Sequence, residues 1–117
     1  MDVVTDYAII LLSKGCPQLT HIDLSFCVLL TDNSTISISN QCKNLANINI
    51  LSCTRMTTAS IIILSLCSNL ITVQLPYSNV TAASSTMVIA HFIMEYSLYE
   101  PVGSPLNGLF RRRQVYR

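Results

Sequence analysis

Five cysteines, at positions 16, 27, 42, 53 and 67, and two histidines, His21 and His91, are the residues with the most chemistry open to them. Thiols could build a disulfide framework, ligate zinc with imidazoles, act as a nucleophile beside a histidine, or pack in a core. The cysteine spacings are 11, 15, 11 and 14 residues, with no C-x-x-C pair and no histidine at zinc-finger distance. That pattern argues against a structural metal site. Disulfide networks suit exported domains, and the amino end carries Asp2 and Asp6 where a secretory leader would carry basic residues. Neither histidine lies in a local signature of a thiol nucleophile. Six acidic residues form no recognisable acid/base pair, and three glycines form no phosphate loop. The expectation is a non-enzymatic chain with no catalytic, cofactor-binding or metal-ligating residues.

The totals narrow the partner classes. The 117 residues are half hydrophobic and only 11% charged, against about 25% charged in ordinary globular domains. Part of the apolar surface is therefore expected to meet a protein partner or further repeats rather than water. A net charge of +1 gives no field to attract nucleic acid or an anionic membrane. No apolar stretch approaches the ~20 residues needed to span a bilayer. An intracellular location, cytoplasmic or nuclear, is the expectation.

Aligning the chain on its cysteines reveals the elements that position them. Cys16, Cys42 and Cys67 recur at intervals of 26 and 25 residues, and Cys27 and Cys53 at 26, with Ser78 in the same place 25 residues later. Leu19, Leu45 and Leu70 keep step, as do Ile22, Ile48 and Val73, then Leu24, Ile50 and Leu75. Around Ile22 and Leu24 the apolar residues alternate with the period of a strand. After Thr5 and Thr57 they fall at plus four and plus seven, and after Thr31 at plus seven with Thr35 in the weaker slot, one face of a short helix. These threonines are expected to be helix N-caps. Each unit thus reads as a strand, a turn and a helix, too small to bury its apolar faces except against identical neighbours. The thiols are expected to be packing groups at the turns flanking each strand.

The pattern Cys16, Leu19, Ile22, Leu24, Cys27, Leu30, Thr31, Asp32, repeated as Cys42, Leu45, Ile48, Ile50, Cys53, Met56, Thr57, resembles the cysteine-containing subclass of leucine-rich repeats. The resemblance implies an α/β fold: a right-handed leucine-rich-repeat solenoid, with a short parallel β-sheet on the concave side and helices on the convex side. Repeats, about three with a degenerate terminal helical unit, are placed over 1–98, and an irregular basic tail over 99–117. The subclass is typical of F-box proteins of cullin-type ubiquitin ligases and of antagonist-of-mitotic-exit-like proteins. The implied function is protein recognition like that of the substrate-binding repeats of such a ligase. The alternatives are a repeat scaffold or effector unrelated to ubiquitin, or a truncated fragment without autonomous activity, to which further repeats would belong.

In such a solenoid the outward strand positions form the binding face. They are His21, Asp23 and Ser25, then Asn47, Asn49 and Leu51, then Thr72 and Gln74, edged by Phe26 and Tyr77. A protein partner is expected there, and the resemblance implies a ubiquitination substrate. The stretch 85–99 is expected to be helical and to cap the last repeat. All five thiols are expected to resist a thiol reagent in the folded chain and to react on denaturation.

Overall fold

The computed structural model describes residues 3–76, 89–90, 93–94, 97–103 and 107–114. Tyr77, Ser78, Thr81 and most of the expected terminal helix lie outside these. Within them the order is α1 (Asp6–Gly15), β1 (His21–Asp23), α2 (Asp32–Gln41), β2 (Asn47–Asn49), α3 (Thr58–Ser65), β3 (Thr72–Gln74), β4 (Tyr99–Pro101) and β5 (Leu109–Arg112). The result is an α/β domain in which three helices cover one face of a five-stranded sheet of order β1-β2-β3-β5-β4.

The first three strands are parallel and stack in the register of the sequence repeat: Ile22 beside Ile48 beside Val73. The sheet as a whole is mixed, which corrects the expectation of a purely parallel one. β5 runs antiparallel to β3, putting Phe110 beside Val73, and β4 pairs antiparallel with β5. Within the expected irregular tail, Tyr99–Pro101 and Leu109–Arg112 are therefore strands. Tyr99 begins a strand instead of ending a helix, and Tyr99 and Phe110 are fully buried against the last repeat strand. Of the expected terminal helix, residues 89–90 and 93–94 are helical, with Ala90 and Met94 buried.

One core runs through all units, from Ile9 past Ile38 and Ile61 on the helices to Ile48 and Val73 on the strands. Neighbouring units are joined by carboxylates. Asp6, the first residue of α1, accepts from the Thr31 amide and hydroxyl (2.9 and 2.6 Å) and from the Ser34 hydroxyl (2.6 Å). Asp32 repeats this one unit on, with Thr57 (2.8 and 2.6 Å) and Ser60 (2.5 Å). Each carboxylate thus sits at the N-terminus of the next helix, where the orphan amides and the dipole favour a negative charge. Thr31 and Thr57 also cap their own helices through the Asn33 and Ala59 amides. Thr5 has the extended backbone of an N-cap but its hydroxyl makes no cap bond, a departure from the expectation.

Burial acts to raise the carboxyl pKa of Asp32, yet the bonds from Ser60 and Thr57 outweigh it and hold it below the ordinary aspartate value; Asp6 behaves alike through burial, Ser34 and Thr31. A lowered folded-state pKa means stability that is fully present above the unfolded value and lost as pH falls through the folded one. Asp32→Asn is expected to cost about 1–3 kcal/mol at neutral pH, the scale of hydrogen bonds to a charged group. Urea unfolding should show that gap to the parent closing as the pH drops below the aspartate range. A gap unchanged by acid would rule out the ionised carboxylate as its source.

Candidate functional site

The sheet face away from the helices carries the candidate residues. β1 to β3 contain neither glycine nor proline, and their alternation turns every second side chain outward. One outward row runs across five strands as His21, Asn47, Thr72, Arg111 and Glu100. A second runs Asp23, Asn49, Gln74 and Leu109. Residues of both rows line one shallow hollow.

The first row is hydrogen-bonded in two stretches, His21–Asn47–Thr72 and Arg111–Glu100. The Thr72 hydroxyl donates to the Asn47 carbonyl oxygen. That orientation leaves the Asn47 amide nitrogen to donate to His21 Nε2 at 2.6 Å. An amide nitrogen only donates, so Nε2 is the acceptor and Nδ1 carries the proton, which it gives to the Thr20 hydroxyl at 2.9 Å. At the other end Arg111 Nε bonds Glu100 at 3.1 Å.

The second row is committed partly to its own backbone. Asp23 accepts from the Ser25 amide at 2.9 Å and Asn49 from the Leu51 amide at 3.0 Å, the local bond typical of Asp and Asn at turns. Bonds from the Ser25 side chain and then its amide hold the Asp23 carboxyl below its usual pKa. Gln74 instead reaches over to the Asn107 carbonyl at 2.8 Å. Ser25 and Leu51 are half-buried just past the strand ends rather than on the face.

Directly after those turns, Phe26 and Ser52 occupy equivalent places with φ of 64° and 62°. Non-glycine residues in this left-handed region carry strain, and such strain concentrates at functional sites. The turn projects Phe26, 65% exposed, at the rim of the face. Tyr77, its expected counterpart at the other rim, lies outside the described residues.

Glu100, Leu109 and Arg111 were not among the sequence candidates. For Leu109 and Arg111 the signal is only the alternation in "LFRR", masked by the charge run, and Glu100 lies in the separate three-residue strand "YEP". The five rows of strands spaced about 4.8 Å apart give a face ~19 Å across, roughly twice the width that three strands provide.

The cysteines serve the stack. Cys53 Sγ donates to the Leu24 carbonyl at 3.1 Å and Cys42 Sγ to the Cys16 carbonyl at 3.6 Å, each reaching back one unit. Cys42 and Cys53 are buried, whereas Cys16, Cys27 and Cys67 are half-buried, so uniform protection of five thiols is not what the fold provides. Burial, with Cys27 beside it, pushes Cys53 up to about 11. Among the described residues no three His, Cys, Asp or Glu side chains converge as metal ligands, and no helix is long and apolar enough to cross a membrane.

No family model, curated protein or solved structure matches this chain.

Since the thiolate is the reacting species, alkylation of the native protein followed by mass spectrometry should modify Cys42 and Cys53 last. Their labelling should need the same opening that unfolds the core. Cys53 reacting as fast as Cys16 would contradict its placement.

Proposed function

We propose that this chain is a right-handed leucine-rich-repeat solenoid acting as a non-enzymatic, intracellular protein-recognition module, similar to the substrate-recognition repeats of an F-box ubiquitin ligase. The observation that carries the reading is the in-register ladder of outward polar side chains across the sheet, with Phe26 exposed at its rim. Parallel strands related by 25 and 26 residues, a helix returning between them and thiols donating to the preceding unit support the repeat architecture.

The chemistry of the face defines what it would hold. His21, Asn47 and Thr72 satisfy one another laterally, which fixes their rotamers before any partner arrives and lowers the ordering cost of binding. Arg111 and Glu100 add a charged pair at one end, while Phe26 offers an apolar anchor at the other, the residue type enriched at the centre of interfaces. A face ~19 Å wide matches an extended segment of about six residues lying across the strands. It is smaller than the roughly 800 Å² per partner of a standard interface, so binding by this chain alone is expected to be weak. The alternative, a repeat scaffold or effector without a ubiquitin connection, uses the same face.

Phage-displayed random nonapeptides selected on the intact protein should yield binders whose affinity falls about tenfold or more on Asn47→Ala, Arg111→Ala or Phe26→Asn. Phe26→Asn should leave the thermal midpoint unchanged or raised, because asparagine tolerates positive φ. Binders insensitive to all three substitutions would remove the sheet face from the proposal. In cells, a photo-crosslinker at position 47 separates the two readings. Crosslinked proteins whose half-lives lengthen on depletion of this chain support the ligase role; unchanged half-lives assign the scaffold role.

A further inference from the structure

The two ends of the stack are finished differently. Beyond β3 the chain covers itself with the β4–β5 hairpin, where Tyr99 and Phe110 are fully buried. At the other end β1 is the terminal strand among the described residues, and the first unit keeps open what its successors bury. Leu12 is 39% exposed, while Ile38 and Leu64 at the same helix position are 1% and 0%. Ala8 is exposed where Ser34 and Ser60 are sealed, and Cys27 is half-buried where Cys53 is sealed. Tyr7 and Leu11, one helical turn apart on α1, are also exposed.

The polar groups of this edge are open in the same pattern. Thr31 and Thr57 each receive an aspartate from the unit before, whereas the Thr5 hydroxyl makes no cap bond. Asn47 and Thr72 direct their amides back onto the Thr20 and Ala46 carbonyls. His21 holds the corresponding place in β1, and its amide faces the sheet's open edge. We propose that this edge is a docking face for one further strand-and-helix unit of the same build, pairing parallel to β1 and presenting an aspartate at the head of its helix to Thr5.

Complementarity selects that occupant over a second copy of this chain. The edge asks for a carboxylate at the N-terminus of α1 and for parallel backbone acceptors beside His21. A copy stacked head to tail would bring β4, whose Pro101 lacks an amide hydrogen. The only helices headed by aspartate among the described residues are α1 and α2, and both carboxylates are already bonded to the unit that follows. The proposal concerns the sheet edge and is independent of what the sheet face recognises.

The test is a full-length chain in which residues 6–31 are duplicated in tandem, which preserves the Thr-Asp phase and lays the added unit over the original first one. The thermal midpoint is expected to rise by about 5 °C or more, and the amide of the original His21 to exchange with solvent about tenfold more slowly. Asp6→Asn in the added copy should return part of the gain. An unchanged midpoint, a chain that no longer folds, or an unprotected His21 amide would overturn the proposal. So would a parent protein that sediments as a dimer with that amide already protected, which would assign the edge to a second copy.

Discussion

A carboxylate held between two helix starts is the interaction on which the stack depends. Asp6 and Asp32 each take three hydrogen bonds from the unit that follows, all within 2.9 Å. Because those bonds reach both a backbone amide and two hydroxyls, they fix the rise and the rotation from one helix to the next. Strands connected to helices so fixed have only one register, the one that sets Ile22, Ile48 and Val73 side by side. The thiols act on the same junction from inside, where Cys53 and Cys42 donate to carbonyls of the preceding unit.

The repeat itself was legible because its markers recur at a nearly constant interval and change little in type. Leucine, isoleucine, cysteine and threonine in fixed phase are enough to give strand, turn and helix, and the helices and the first three strands form where the phase puts them. The role of Asp6 and Asp32 was hidden. Their partners lie 25 and 28 residues away, beyond any local pattern, so Thr-Asp read as a self-contained cap. The arrival of Thr58 in the place of a third aspartate ends the visible series. The left-handed turns at Phe26 and Ser52 were equally silent, since neither position carries the glycine that usually marks one.

The hairpin β4–β5 was missed for a different reason. Its strands are three and four residues long, and one includes a proline. The flanking glycines and the arginine run read as punctuation and solvated charge. What makes these residues a strand pair is tertiary: the open edge of β3, which Phe110 and Tyr99 cover. Of the candidate face, the first three positions of each row were readable from alternation, whereas Arg111, Glu100 and Leu109 required knowledge of that pairing. Asp23 and Asn49, read as binding groups, spend one oxygen each on the turn that follows them.

Arg112 alters the meaning of the arginine cluster that contains it. Its Nε donates to the Leu70 carbonyl and its Nη2 to the Cys67 carbonyl and the Tyr99 hydroxyl, and its guanidinium lies 5.1 Å from the Tyr99 ring centroid. Those carbonyls belong to the turn after α3, where a helix end gains from a cation. A motif that resembles a sorting address or a polyanion grip is, at its middle residue, a rivet through the wall of the fold. Cutting the chain ahead of Arg112 would therefore act on the architecture of the last repeat, and not on a dispensable appendage.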